Sequence, residues 1–216
     1  MKSFDRQDRL LAIGLAALAG YVDAIGFLAT GGFFVSFMSG NSTRLGVGIA
    51  EQSSNAAVAA MLIGSFLIGV IAGSLVARMA GQRHREVVPL ALAALLGAAA
   101  LLSDFRQLWP AAVLMAVAMG VENIFFAEGA EVRIGLTYMT GRLVKLGQML
   151  AAAIVGEDTW GWVPHLLLWS GLLGGGAAGA FAFFKLGGDA LWIAAGAALL
   201  VALIARRPRG VANRQP

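Results

Sequence analysis

The sequence predicts an all-α protein that crosses a membrane several times, and its composition and eight apolar segments carry that prediction. Of its 216 residues, 59% are hydrophobic and 13% are charged, whereas a soluble domain is about 45–50% apolar and about 25% charged. A soluble chain of this length exposes too much of its surface to hide so many apolar side chains. Because a spanning helix needs about 20 apolar residues, we predict one membrane domain over residues 1–216.

The apolar segments are labelled A to H, and polar or charged residues separate them. Two segments are also interrupted inside, B by the polar residues 39–44 and F by residues 140–142 and by Lys145. Segment E has Pro110 in its first turn, where proline is tolerated. The segments cover residues 10–28, 32–50, 56–79, 87–102, 108–127, 134–155, 163–184 and 190–205.

The start of segment A also resembles a cleaved secretion signal. Lys2, Arg6 and Arg9 precede an apolar run that contains the small residues Ala17 and Ala19, and such a pattern precedes a cleavage site in secreted proteins. The apolar run continues past Ala19 and has a repeat partner in mid-chain, so we expect it to be kept as a helix.

Similar motifs recur in the same order in both halves of the chain. This predicts an internal repeat, with residues 10–103 as the first copy and residues 108–206 as the second. The matches, at offsets of 100 or 101 residues, pair 20–23 with 120–123, 37–40 with 138–141, and 45–46 with 146–147.

Glycines spaced four residues apart occur at matching places in segments C and G. Gly69 and Gly73 lie 106 residues before Gly175 and Gly179. Small residues at this spacing let membrane helices approach closely. We therefore expect segment C to pack against segment G, with a homodimer contact through these glycines as the alternative.

The basic residues predict the topology. If all eight segments crossed, Arg78, Arg83 and Arg85 would lie on the opposite side from the basic N-terminus, against the positive-inside rule. If segments B and F instead enter and leave on one side, these arginines and the basic tail 206–214 all become cytoplasmic. We therefore predict about six transmembrane helices plus two broken or re-entrant segments. Each half then crosses an odd number of times, so the repeat is inverted, as in many transporters.

Two stretches resemble the bacterial YoaK family, GYVDAIGF at residues 20–27 and FMSGNST at residues 37–43. The similarity extends over nearly the whole chain and includes the second-half pair Thr140 and Gly141. The resemblance implies a small multi-pass protein of the bacterial inner membrane, and it implies no substrate and no site residues. Arg142 stands where the first half has Asn41, so the two halves need not share one role.

Asp23 is the first candidate for chemistry within the membrane. A carboxylate near the bilayer centre costs about 2.5–3.5 kcal/mol on insertion scales, and its repeat partners are Glu122 and Asn123. This pattern indicates an ion or proton site. The alternative is a structural carboxylate that is hydrogen-bonded to the opposite repeat or placed at a helix end.

The interruptions of segments B and F are the second candidate. Glycine frees the backbone, and Asn, Ser and Thr are good N-cap residues, so a helix that begins there would direct its positive end at an anion. Nearby basic residues add positive charge. The alternative is that these residues reach the interface, or that Asp23 pairs with Arg142 and Glu122 with Arg44. The predicted substrate- or ion-binding residues are Asp23, Ser39, Gly40, Asn41, Thr43, Arg44, Glu122, Asn123, Thr140, Gly141, Arg142 and Lys145.

The sequence has few motifs of metal-binding, nucleotide-binding or nucleic-acid-binding proteins. It has no cysteine, which excludes disulfides and thiolate metal sites. His84 and His165 lack metal-ligand spacing, and no phosphate-binding loop or dinucleotide fingerprint occurs. The net charge of +4 comes mostly from helix ends and tails, so it indicates topology rather than nucleic-acid binding. Four tryptophans lie near span ends, as interfacial anchors do: Trp109, Trp160, Trp162 and Trp192.

These observations predict a small transporter. We expect it to lie in the bacterial inner membrane with both termini in the cytoplasm, and to move a small anionic or polar solute between its two halves. Asp23 or Glu122 would then carry a coupled proton. The alternatives are a passive channel and a membrane scaffold that transports nothing. We expect no enzymatic activity, cofactor, metal or nucleic-acid partner, and the predicted partners are the lipid bilayer, the solute and, as an alternative, a second copy of the chain.

Overall fold

The computed structural model describes residues 6–104, 106–128, 131–132 and 139–206. Within these residues the chain is a helical bundle, and the predicted all-α, polytopic architecture is confirmed. The two strands in the described residues, β1 (Ala127–Glu128) and β2 (Glu131–Val132), have two residues each and pair antiparallel. The helices are α1 (Arg6–Ala29), α2 (Met38–Ala50), α3 (Asn55–Ala80), α4 (His84–Asp104), α5 (Leu108–Glu122), α6 (Met139–Ile154), α7 (Val163–Leu186) and α8 (Ala190–Ala205).

Long apolar stretches make up most of this bundle. Three helical stretches of the described residues are long and apolar enough to cross a membrane: Gln7–Ala29, Asn55–Asp104 and Val163–Ala205. The second contains α3 and α4, and the third contains α7 and α8. The helix α5 is apolar but shorter, with 15 residues. The side chains on the outside of these helices include many large apolar groups, which lipid covers in a membrane protein.

The helices α3 and α7 end in the same way. Gly81 ends α3 at a φ of 53°, and Gly187 ends α7 at a φ of 61°. Glycine is favoured after a helix because it adopts positive φ without a steric penalty. A single 3₁₀ turn begins at each glycine and leads into α4 or α8. The two glycines are 106 residues apart, the offset that relates the glycine pairs of segments C and G.

Glycines bring the helices together in two crossings, α1 with α7 and α3 with α5. Gly175 of α7 lies against the carbonyl oxygen of Ala17, and Gly69 of α3 lies against that of Val117. The expectation that segment C packs against segment G is therefore wrong. Each glycine pair instead packs against the first helix of the other half. That first helix also carries a glycine at the crossing, so the two backbones can approach closely. These facing residues are Gly20 on α1, beside the carbonyl oxygen of Leu172, and Gly120 on α5, beside that of Phe66.

Contacts between helix ends give the direction of each helix. Arg85 at the start of α4 forms an ion pair with Asp8 near the start of α1. The same guanidinium lies 5.4 Å from the ring centroid of Phe125, just after α5. Gln7 donates a hydrogen bond of 3.2 Å to the carbonyl oxygen of Ile204 at the end of α8. The starts of α1 and α4 and the ends of α5 and α8 therefore share one end of the bundle, which we call the basic end.

The opposite end holds the other termini of these helices. Trp192 near the start of α8 donates a hydrogen bond of 3.3 Å to Asp104 at the end of α4. The helix α7 runs parallel to α1, since Ile13 lies against Gly171 and Tyr21 against Gly179. Thus α1, α4 and α7 run away from the basic end, and α3, α5 and α8 run towards it. This is the arrangement that about six crossings require, and the number of crossings and the inverted repeat stay predictions that it supports.

Candidate functional site

The chain turns back along α1 directly after that helix ends. Gly31 and Gly32 have φ values of 70° and 116°, a backbone conformation that glycine adopts most readily. The next residues reach Asp23, whose Oδ1 accepts hydrogen bonds from the N–H groups of Val35 (2.8 Å) and Ser36 (2.7 Å). Asp23 lies six residues before the end of α1, so the chain returns by about 9 Å along the helix axis. Residues 31–37 therefore form a loop, here called the return loop, that re-enters the bundle.

Asn41 fixes the return loop to the beginning of α2. Its Oδ1 accepts the N–H of Phe34 at 3.0 Å, and its Nδ2 donates to the carbonyl oxygen of Phe34 at 2.6 Å. The Asn41 side chain is fully buried, with 0% exposed. Buried backbone groups need such partners, because an unpaired group costs about 1–3 kcal/mol. Asp23 and Asn41 thus supply the polar contacts that allow irregular backbone at this depth.

The interruption of segment B lies earlier than predicted. The sequence places it at residues 39–44, but α2 already begins at Met38, with Phe37 as an N-cap residue that makes no side-chain capping bond. The expected capping role of the polar residues is therefore wrong, because the glycine pair of the return loop makes the turn instead. Gly40 lies in the first turn of α2, where a Cβ atom would come within 2.7 Å of the Phe34 and Phe37 rings.

The remaining predicted residues of α2 face outwards or contact aromatic groups. Ser39 and Thr43 are exposed, and the Thr43 hydroxyl donates to the Ser39 carbonyl oxygen at 3.2 Å. The Arg44 guanidinium lies 5.0 Å from the ring centroid of Phe33, which is a cation–π contact. These side chains do not converge on Asp23.

In the second half, Glu122 is the most unusual residue. It ends α5 with 0% of its side chain exposed, and neither carboxyl oxygen has a hydrogen-bond partner in the part of the chain that is described. The neighbouring Asn123 donates from Nδ2 to the carbonyl oxygen of Met119 at 2.9 Å. The two ion pairs of the alternative interpretation do not form, since Asp23 binds the return loop and Glu122 is not bonded to Arg44.

The predicted residues of α6 lie on a separate helix. Arg142 is nearly buried, with 9% exposed, while Thr140 and Lys145 are exposed and Gly141 is half-buried. Among the described helices, α6 packs against α7 and α2 packs against α3, and α2 and α6 share no packed interface. Part of the predicted segment F, residues 134–138, lies outside the described residues.

A cavity of about 440 Å³ lies between α1 and α7, beside the return loop. Its walls include Gly20 and Asp23 of α1, Phe34 of the return loop and Leu172 and Gly176 of α7, and Asp23 is the charged residue of its lining. The helix α1 belongs to the first repeat and α7 to the second, so the cavity lies between the predicted halves. The other predicted site residues do not line it.

Comparison with known proteins places the chain in a family. Residues 11–204 match a family described as "Protein of unknown function (DUF1275)". This chain belongs to the DUF1275 family. It is 35% identical over 192 residues to UPF0700 transmembrane protein RA0705 of Rhizobium meliloti (strain 1021), covering 88% of this chain and 83% of that protein. It is also 30% identical over 143 residues to UPF0700 transmembrane protein YoaK of Bacillus subtilis (strain 168), covering 61% and 62% of the two chains.

The predicted resemblance to YoaK is confirmed by these matches. No solved structure matches this DUF1275 chain. Both relatives carry the description "transmembrane protein", which agrees with the long apolar helices, so the chain is a helical membrane protein.

Within this DUF1275 protein, the structure brings together only part of the predicted site. Asp23, Gly40 and Asn41 meet around the return loop, whereas Glu122 and the α6 residues lie elsewhere. Sequence reasoning missed the return loop itself, although the glycine pair Gly31–Gly32 ahead of aromatic residues was a visible turn signal. Among the described residues, no three His, Asp or Glu side chains are grouped to hold a metal ion.

Proposed function

We propose that this protein transports a small polar solute across the bacterial inner membrane through a path between its two halves. The observation that carries the proposal is the cavity between α1 and α7, which holds the Asp23 carboxylate in an otherwise largely apolar wall. Ionisable groups inside membrane bundles mark substrate and ion pathways. Ligand sites of this kind are mostly apolar, with few polar groups that set orientation.

The lining favours one of the two predicted solute classes. Asp23 is an acceptor and carries negative charge when ionised, so it binds a solute that donates hydrogen bonds or is positively charged. Arg44, Arg142 and Lys145, which would attract an anion, do not line the cavity. We therefore place a polar solute with donor groups ahead of an anionic one.

The return loop supplies a gate for this path. Phe34 forms part of the cavity wall, and its neighbours Val35 and Ser36 are held by Asp23. Hydrogen bonds to an ionised carboxylate are about twice as strong as neutral ones. If Asp23 is protonated, or accepts a hydrogen bond from a bound solute, its hydrogen bonds to the N–H groups of Val35 and Ser36 weaken. Phe34 is then free to move. Solute binding and opening are thus linked through one carboxyl group.

Glu122 adds a second proton-binding group near the basic end. A buried carboxyl without a partner is far less costly in its neutral form than in its charged form. Glu122 therefore holds a proton while it is buried and releases it when the path opens to water. In this proposal both termini are cytoplasmic, because the basic end then faces the cytoplasm in accordance with the positive-inside rule. Enzymatic activity plays no part in it.

Uptake into liposomes tests the proposal. Purified protein is reconstituted, and uptake of labelled amines, sugars, amino acids and small anions is measured with and without an imposed pH gradient. We expect at least one donor-bearing solute to accumulate in response to the gradient. Asp23→Asn should remove that response, while Glu51→Gln, at an exposed residue after α2, should leave it unchanged.

The other outcomes separate the alternatives. Uptake that ignores the pH gradient in the unmodified protein indicates a passive channel. Absence of uptake for every solute class overturns transport and favours a scaffold. Unchanged gradient-driven uptake in the Asp23→Asn protein removes Asp23 from the coupling role.

A further inference from the structure

A second cavity lies near the opposite end of α1 from the Asp23 cavity. It has a volume of about 270 Å³ and is lined by Arg9, Ile13, Trp160, Val163, Pro164 and Leu167. Arg9 precedes Asp23 by 14 residues of α1, so the two cavities are about 20 Å apart along the helix. We call this second cavity the basic-end groove. It plays no part in the proposed transport path.

The polar groups of the basic-end groove are available to a ligand. Within the described residues, Arg9 makes no hydrogen bond or ion pair, whereas two other arginines of the basic end, Arg85 and Arg206, pair with Asp8 and Glu86. Arg9 is also exposed. A guanidinium presents several donors in a fork that matches a phosphate, so the groove carries a cation that forms no ion pair with a carboxylate of the described residues.

Trp160 gives the groove a side chain of the kind that is found at the membrane surface. Its side chain is 71% exposed, and its ring stacks on Trp162 with centroids 6.4 Å apart. Trp162 donates its indole N–H to the carbonyl oxygen of Thr159, while the Trp160 indole makes no hydrogen bond among the described residues. Tryptophan is enriched at headgroup depth because one edge is polar and the ring is apolar. Trp160 therefore marks the groove as lying at the level of lipid headgroups.

The rest of the groove is apolar and extends into the bundle. Ile13 lies one turn beyond Arg9 on α1, and Leu167 lies one turn beyond Val163 on α7. Since α1 and α7 run parallel from the basic end, both apolar side chains lie deeper in the membrane than Arg9. Leu167 remains 47% exposed, so an apolar chain can still cover it.

We infer that the basic-end groove binds an anionic phospholipid. Its phosphate lies on Arg9, its glycerol region meets the Trp160 indole N–H, and one acyl chain covers Ile13 and Leu167. The Arg9 guanidinium attracts an anion, and the apolar wall of the groove favours contact with a hydrocarbon chain. A lipid that has both parts therefore fits the groove better than free phosphate does. Basic pockets between membrane helices bind anionic headgroups in this way. The lipid would contact both α1 and α7 and so stabilise their pairing.

Lipid competition tests this inference. The purified full chain is delipidated in detergent, and retention of phosphatidylglycerol and phosphatidylcholine with identical acyl chains is measured by native mass spectrometry. Thermal unfolding is followed with the same lipids. We expect phosphatidylglycerol to be retained preferentially and to raise the unfolding temperature more. Arg9→Gln should weaken its retention about five-fold, whereas Arg78→Gln, an exposed arginine at the end of α3, should change it little.

A third variant and a free anion distinguish the contribution of the lipid headgroup from that of the acyl chain. Leu167→Ala should weaken retention of both lipids, because it removes apolar contact without changing charge. Equal losses in the Arg9→Gln and Arg78→Gln proteins would indicate diffuse attraction and overturn the site. Equal stabilisation by glycerol phosphate alone would show a free-anion site and overturn the lipid assignment, as would equal retention of the two lipids.

Discussion

Asn41 forms hydrogen bonds with both backbone polar groups of Phe34, one to the N–H and one to the carbonyl oxygen. The Asn41 side chain thus forms the two hydrogen bonds that a residue of a neighbouring β-strand would form with Phe34. It allows the return loop to lie against α1 without a strand partner. The amide thus holds Phe34, a residue of the cavity wall, although Asn41 itself does not line the cavity.

Replacing Asn41 by alanine should destabilise the protein. The change leaves two backbone groups of Phe34 without partners, at a cost of about 1–3 kcal/mol for each group. We expect a lower free energy of unfolding in a denaturant titration in detergent micelles. Ser42→Ala is the matched control, because that exposed hydroxyl donates its hydrogen bond to the carbonyl oxygen of Met38 in its own helix. An Asn41→Ala protein as stable as the Ser42→Ala protein would contradict the role assigned to Asn41.

Gly20→Ala should loosen the crossing of α1 and α7. A methyl group there meets the carbonyl oxygen of Leu172, and overpacking of this kind costs about 1–3 kcal/mol. Gly14 lies on the same helix with nothing within 4 Å of the corresponding position. Gly14→Ala should therefore be neutral or stabilise by up to about 1 kcal/mol. Thermal unfolding of both proteins measures the difference, and equal effects would refute close packing at Gly20.

Glu122→Val should raise stability and reduce transport. The repeat alignment places Val22 at the equivalent position, and Val22 is fully buried. Removal of a buried carboxyl that has no partner in the described part of the chain should stabilise the fold by about 1–3 kcal/mol, while gradient-driven uptake should fall if Glu122 exchanges a proton.

Glu157→Gln is the control for that experiment, since Glu157 is exposed. A Glu122→Val protein with unchanged uptake would assign Glu122 no part in coupling. A loss of stability would instead indicate that the carboxyl makes a favourable contact.

The absence of cysteine makes the predicted topology easy to test. Single cysteines at Arg83, near the basic end, and at Gln52, between α2 and α3, are introduced in turn. In intact cells, a membrane-impermeant thiol reagent should label the Gln52→Cys protein and spare the Arg83→Cys protein until the cells are opened. Labelling of both in intact cells would contradict cytoplasmic placement of the basic end, and the reverse pattern would invert the topology.

The segments of the fold were predictable because their signals are local. Apolar length indicates a spanning helix whatever it packs against, so α1, α3, α4, α7 and α8 follow the predicted segments closely. The glycine matches at a constant offset also indicated close helix contacts. Their partners were predicted incorrectly, because glycine spacing carries no information on which helix approaches it.

The candidate site was predictable only in part. The sequence singled out Asp23 and Asn41 as polar residues in apolar surroundings, and the structure places both side chains against the return loop. Their roles depend on backbone groups of the return loop, and nothing in the residue types distinguishes a carboxylate that binds a solute from one that binds a neighbouring N–H.

The amino-acid sequence alone determined that this chain is a helical membrane protein, where its apolar segments lie and which residues are costly to bury, because hydrophobicity and charge act residue by residue. Only the tertiary structure decided that Gly20 lies against Leu172, that Asp23 holds Val35 and Ser36, and that the buried Glu122 carboxyl has no hydrogen-bond partner among the described residues. Those relationships join segments distant along the chain, and they arise from the packing of whole helices rather than from any local pattern.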